Sequence, residues 1–191
     1  IRDAADYVAW LSATLNCLNL DRISLAGISF GAWIGLNLAM INPERVGKLV
    51  LLSPAASFQP LVTQFTLRAI LSGIIPTRRT MNSFMKWMGL EDTPGDPVTG
   101  PLLDLMWLGG KYFQMPPETR RVMPGVFSDD ELCGMEVPTL LLIGENEVIY
   151  NATAALARAR QLIPNLEGEL VPQCRHDMCL SQHRIVDARV L

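Results

Sequence analysis

Two short stretches, 48–53 (KLVLLS) and 139–143 (TLLLI), are almost unbroken runs of apolar residues. A strand with one face in water alternates apolar and polar residues. A run without alternation belongs to a strand covered on both faces, the condition of a parallel sheet with helices packed on each side. Two further β-type runs, 22–28 and 169–172, complete the set. The segments around them have helical spacing. From Asp3 onward Tyr7, Val8, Leu11, Leu15 and Leu18 fall on one face, and 19–21 reads as a turn. Residues 30–41 read as a helix stopped by Asn42 and Pro43, because the residue before a proline avoids the α region. Asn151 or Thr153 can cap a helix that runs to about 163 and stops at Pro164 and Asn165, and the chain closes in another helix. Strands separated by helices require crossover connections, which predicts an α/β fold with the four strands parallel and side by side in chain order.

Between the two apolar strands the pattern changes. Segments 61–75, 78–88, 100–114 and 117–127 read as helices, divided by Pro and Gly turns such as Thr93-Pro94-Gly95-Asp96-Pro97. A helical insertion between two buried strands predicts a lid, so the expected organisation is a core of 1–57 and 136–191 with a helical lid at 58–135. There is no internal repeat and no low-complexity segment.

Composition removes several classes of function. A chain that is 49% hydrophobic and 18% charged is the opposite of a disordered one. A net charge of −3 leaves no excess of basic residues to neutralise phosphates, and the cluster Arg78, Arg79 and Lys86 stands without a recognition module, so no nucleic-acid partner is expected. Cys17, Cys133, Cys174 and Cys179 are too scattered for a disulfide scaffold and lack zinc-ligand spacing. Free thiols in a reducing, cytoplasmic compartment are the expectation. Residues 23–41 are uncharged and long enough for a bilayer span, with Gly27, Gly31 and Gly35 at small-xxx-small spacing. Glycine disfavours helix, Ser24, Ser29 and Asn37 dilute the apolarity, and the segment divides naturally into a strand and a helix. No stable membrane span is therefore expected.

At that division stands Gly27-Ile28-Ser29-Phe30-Gly31, a G-x-S-x-G between a strand and a helix. A chance Gly-Ser-Gly turn would match the same five positions; the strand-to-helix placement is what selects the chemical reading, a nucleophile elbow. The turn is tight enough that both flanks are expected to need glycine. Ser29 then stands at the sheet's carboxyl edge and the helix N-terminus, with the Phe30 backbone N–H facing a developing oxyanion. A serine hydroxyl needs a base. His176 follows the last strand in a loop and is the candidate, while His183, in the terminal helix, reads as a structural histidine. The base needs a carboxylate, and Glu145 and Glu147 both follow the strand at 139–143. Asp177 is poorly placed to reach the ring of its own neighbour.

With these elements in order, the sequence resembles the α/β-hydrolase superfamily, and within it the lidded carboxylesterase-like and lipase-like members. The resemblance runs through the elbow, the strand ending Leu51-Leu52-Ser53-Pro54, the lid, Pro138 to Glu147, and the His176 loop. It implies Glu147 as the acid, at the third residue after Gly144, where aspartate is commoner in the family. It implies a serine hydrolase that cleaves a carboxylic ester through an acyl-enzyme. Arg175 stands where the family usually has glycine before its histidine. Met81, Met85, Met88, Trp87, Met106, Trp107 and Phe113 suit a pocket for a small hydrophobic ester, and the same spacing equally suits lid packing. No phosphate-binding loop is present, so no cofactor is implied, and no metal site. An aminopeptidase, a C–C bond hydrolase and a catalytically silent binding protein are the alternatives.

Family members begin with further strands and a loop carrying a second oxyanion donor, and this chain begins at the helix before the elbow strand. Residues 1–191 alone are thus expected to expose one sheet edge, to aggregate, and to be nearly inactive, since one lost oxyanion donor costs about a hundred- to a thousand-fold in turnover. Sedimentation, melting and esterase assays check this; a monomer that melts cooperatively with full turnover would contradict it.

Overall fold

The computed structural model describes residues 1–91, 96–113 and 122–191. Four strands, β1 (Ile23–Ile28), β2 (Val46–Leu52), β3 (Thr139–Gly144) and β4 (Leu166–Val171), form one parallel sheet in the order β1-β2-β3-β4. The expected order and direction are those observed. β2 and β3 lie in the middle, where Leu49, Leu51, Leu141, Leu142 and Ile143 are fully buried. β1 is at the edge among the described residues, with Ala26 and Ile28 exposed.

Because side chains alternate across a strand, neighbours on β2 and β3 enter different layers. Leu51, Leu141 and Ile143 join the larger core with α1 (Ala4–Cys17), α2 (Phe30–Ile41) and α7 (Ala152–Leu162). Leu52 and Leu142 face the other way, toward Cys174, Met178 and Val186 of the C-terminal segment that carries α8 (Met178–Ser181) and α9 (His183–Val190). α1 starts at an Asp3 N-cap, and its Tyr7 ring meets Phe30 edge-on at 5.3 Å. α2 is buried on nearly every side, and Gly35 lets it approach Leu25 of β1: a Cβ there would lie 3.2 Å from Leu25 Cδ2. α7 is capped by the Asn151 side chain.

The chain between β2 and β3 forms α3 (Thr63–Ile74), α4 (Arg78–Met88), α5 (Thr99–Tyr112) and a single turn, α6 (Asp129–Cys133). α4 begins in a Thr77/Thr80 capping box, ends at Gly89 in the left-handed conformation, and packs Met85 with Leu90 and Leu103. The sequence-based helix at 117–127 is not supported in its described part. Residues 122–127 carry no helix, since Pro124 and Gly125 interrupt any turn there, and the Phe127 N–H donates instead to the Ser57 carbonyl at 3.1 Å. Residues 117–121, most of the 93–97 turn and Gln114 lie outside the described residues. α6 was not anticipated, although Ser128 and Glu131 form a capping box that the Ser-x-x-Glu spacing encodes. β4 begins three residues before the expected strand. Residues 23–41 divide at Ser29 into strand and helix, and among the described residues no helix is long and apolar enough to cross a membrane.

Leu141 at the centre of the sheet and Asn151 at the head of α7 test this account. By urea denaturation, Leu141→Ala is expected to cost about 2–5 kcal/mol through lost burial and a cavity. Asn151→Ala is expected to cost about 1 kcal/mol through loss of the cap.

Candidate active site

The carboxyl ends of the strands converge on one edge. Between β1 and α2 there is a single residue, Ser29, with φ 53° and ψ −117°. That conformation is strained for any residue with a Cβ, at a cost of about 1–3 kcal/mol. It is held on both sides: the Ser29 N–H donates to the Leu52 carbonyl at 2.9 Å, and the Ser29 carbonyl accepts from Ala55 at 3.0 Å and Trp33 at 3.1 Å. Phe30 takes the first helical position of α2, where a backbone N–H has no acceptor within the helix. Gly27 is required, since a Cβ would lie 2.7 Å from backbone atoms of Gly31 and Ala32. Gly31 differs from expectation. Among the described residues a Cβ there meets nothing within 4 Å, because it points away from the turn.

β3 and β4 bring together the other two candidates. Gly144 ends β3 against the loop after β4, and any Cβ on it would collide with the Arg175 carbonyl. The two loops are then laced together: Glu145 N–H to Val171 O at 2.8 Å, Asn146 N–H to Cys174 O at 2.9 Å, and Gln173 N–H to the Glu145 carboxylate at 3.1 Å. Glu145 is thereby committed to the Gln173 turn. Glu147 instead turns inward with its side chain fully buried, and its Oε2 lies 2.9 Å from His176 Nδ1. Its Oε1 accepts from the N–H groups of Val148 (2.8 Å) and Ile149 (3.2 Å).

Burial alone would raise the Glu147 carboxyl. The His176 bond and charge, the nearby Ser53 hydroxyl and the Ile149 N–H outweigh burial and leave it below its ordinary value. An ionised carboxylate only accepts, so in the neutral ring Nδ1 carries the proton and Nε2 holds the lone pair. Nε2 is buried and has no hydrogen-bond partner among the described residues. His176 and Ser29 line the same cavity of about 400 Å³, walled by Ile28, Met85, Met88, Leu90, Leu102 and Met106. A catalytic hydrogen bond is often open without substrate, so the unpartnered Nε2 is compatible with a base.

Of the remaining candidates, Asp177 and Cys179 line that cavity without joining the Glu147–His176 pair. His183 sits in α9 with Nδ1 3.3 Å from the Leu180 carbonyl. Asp177 accepts the Arg175 N–H at 3.0 Å and does not reach the His176 ring by any hydrogen bond. Cys179 borders the cavity, but burial and then the Asp187 charge push its thiol up, which keeps it protonated and a poor nucleophile. Two participants escaped sequence reasoning. Ser53, fully buried at φ 38°, accepts from the Gly144 N–H at 3.4 Å and stands beside Glu147. Tyr150 is buried against the same pair, and burial followed by the Glu147 charge raises its phenol well above the ordinary value. The signal for Ser53 was its place at the carboxyl end of a buried strand; Tyr150 carried none.

Residues 1–188 match the alpha/beta hydrolase family. The chain belongs to that family. This alpha/beta hydrolase chain is 34% identical over 196 residues to carboxylesterase YbfK of Bacillus subtilis (strain 168), covering 98% of this chain and 62% of that protein. It superposes on the crystal structure of naproxen esterase (carboxylesterase NP) from Bacillus subtilis with a TM-score of 0.85, at 28% identity, over 98% of this chain and 65% of that one. It is also 29% identical over 176 residues to 2-hydroxy-6-oxononadienedioate/2-hydroxy-6-oxononatrienedioate hydrolase 2 of Pseudomonas putida, covering 87% of this chain and 60% of that protein. The chain spans about three fifths of the length of the curated relatives it matches first.

The two elbow glycines of this alpha/beta hydrolase chain should respond differently. Gly27→Ala is expected to destabilise by about 1–3 kcal/mol, because backbone must shift. Gly31→Ala should be neutral or stabilising, since alanine favours a helix by about 1 kcal/mol over glycine. Urea midpoints of the two variants check this, and equal losses would contradict it.

Proposed function

We propose that this chain carries the catalytic residues of a carboxylic ester hydrolase, with Ser29 as nucleophile, His176 as base, Glu147 as the acid that orients it, and the Phe30 N–H as one oxyanion donor. One observation carries the reading. The buried Glu147 carboxylate lies 2.9 Å from His176 Nδ1, and His176 lines the same cavity as Ser29.

The chemistry follows. Nε2 takes the Ser29 proton as Oγ attacks the ester carbonyl, and the new oxyanion is held by the Phe30 N–H at the positive end of α2. The tetrahedral adduct collapses, His176 returns the proton to the leaving alcohol, and an acyl-serine remains. Water repeats the sequence and releases the acid. Residues 58–135 act as the lid, and α4 and α5 supply the Met85, Met88, Leu102 and Met106 walls that receive the apolar part of the ester. Methionine adapts to varied shapes, which suits a small hydrophobic substrate. The free thiols of all four cysteines fit a reducing, cytoplasmic setting.

C–C bond hydrolysis is the second reading, since the Pseudomonas relative is named for a dioate. A dianionic substrate calls for cationic partners, and no Lys or Arg lines the described cavity. A peptidase would offer a carboxylate to the substrate amine; Asp177 lines the described cavity, but its Oδ1 is engaged by the Arg175 N–H. The ester reading is therefore preferred.

A fluorophosphonate probe is expected to label Ser29 and to fail on Ser29→Ala. In the active protein carrying this chain, Ser29→Ala should cut turnover on the order of a million-fold, as loss of a triad nucleophile does. Glu147→Gln should cost on the order of ten-thousand-fold, through the wrong imidazole tautomer. Glu145→Gln should cost far less. A mere tenfold loss at Ser29, or a larger loss at Glu145 than at Glu147, overturns the assignment, and unlabelled Ser29 favours the silent binding protein.

A further inference from the structure

Arg175, next to the proposed base in the His176 loop, has no part in the proposed chemistry. It is exposed, and its guanidinium reaches the backbone of α4. Nη1 donates to the carbonyls of Lys86 (3.5 Å) and Trp87 (3.4 Å) in the last turn of α4. The Lys86 carbonyl also accepts the Gly89 N–H at 3.1 Å, and at this end of the helix the dipole favours a cation. The next residue continues the contact, because the His176 N–H donates to the Met88 carbonyl at 3.1 Å. Three successive carbonyls of α4 are therefore held by two successive residues of the base loop.

The opposite side of the contact is closed by backbone. Gly89 ends α4 at φ 111°, and a Cβ there would collide with the Asp177 carboxylate and lie 3.1 Å from Arg175 Cβ. Asp177 in turn accepts the Arg175 N–H, which locks the loop's own shape. One turn back along the same helix, Met85 and then Met88 face the cavity that Ser29 and His176 border. The helix forming the apolar wall and the loop bearing the base are thus joined end to end.

We propose that Arg175 is a positioning residue that clamps the C-terminus of α4 to the His176 loop, and that it thereby sets the acyl-chain preference of the site. Specificity for the apolar part of the substrate comes from the Met85 and Met88 wall, and the clamp fixes the distance between that wall and the nucleophile. Arginine suits the task because its always-charged guanidinium, on a long side chain, meets both carbonyls through Nη1. This rests on the ester-hydrolase reading, and the experiment separates the two.

Ser29 labelling rates are measured with a methyl and an octyl alkylfluorophosphonate on the full protein carrying this chain, in its wild-type, Arg175→Ala and Arg175→Lys forms, alongside amide hydrogen exchange. Arg175→Ala is expected to lower the octyl-to-methyl rate ratio about tenfold, the discrimination that a methylene's displacement of an apolar wall is worth. Arg175→Lys should recover part of it. In Arg175→Ala the amides of Leu90 and His176 should exchange faster, while those of Leu141 and Ile143 in β3 stay unchanged. Unchanged exchange at Leu90 and His176 overturns the clamp. Faster exchange with both probes slowed equally leaves Arg175 a purely structural cap and overturns the specificity role. Failure of both probes to label wild-type Ser29 overturns the ester-hydrolase reading and the specificity role with it, while the exchange result still decides the clamp.

Discussion

A carboxylate withdrawn from water must have its oxygens met by donors, and the edge of this sheet is organised around meeting that demand for Glu147. Two backbone N–H groups and the His176 ring supply hydrogen bonds, with the Ser53 hydroxyl alongside. None of these donors is local chance. The turn after β3 presents the N–H groups of Val148 and Ile149, the loop after β4 presents the imidazole, and the end of β2 presents Ser53. Gly144 permits the approach, since a side chain there would push the two loops apart. The consequence is electrostatic: the carboxyl stays ionised although buried, and an ionised carboxylate dictates which nitrogen of His176 holds the proton.

The rest of the molecule holds that arrangement still. Burial of β2 and β3 on both faces fixes the height of the two loops, and the strained Ser29 turn is tied into the same sheet by its bond to Leu52. Local strain of this kind persists only where the surroundings determine it from several sides. Here the surroundings are the ladder below, α2 above and the Ala55 segment beside it. α4 adds a further tie at the His176 loop, so the cavity wall and the proposed base share one support.

Much of this was legible in the sequence wherever punctuation was local. α2 and α4 begin and end where their residues say, because Ser29 and Asn42-Pro43 bound the first and Thr77 and Gly89 the second. The parallel order of the strands followed from unbroken apolar runs. Legibility failed where the deciding contact was distant. β4 begins at Leu166 although the expected strand starts only at Glu169; Glu167 and Glu169 are met by Arg189, twenty and more residues away, and Gly168 makes room for Leu156 of α7. Glu145 and Glu147 are chemically alike and two residues apart, and only the folded loops send one to Gln173 and the other to His176. At Gly31 the tight-turn argument applied to one flank alone, since a Cβ at that position meets nothing within 4 Å among the described residues.

The central claim is that buried Glu147 sets the tautomer of His176 and so frees Nε2 for the cavity. Nitrogen-15 chemical shifts of the His176 ring near neutral pH test it most directly. The account predicts a proton on Nδ1 and a bare Nε2 in the neutral ring, with that preference lost in Glu147→Gln. A neutral ring protonated at Nε2, or a tautomer unaffected by the substitution, would contradict it.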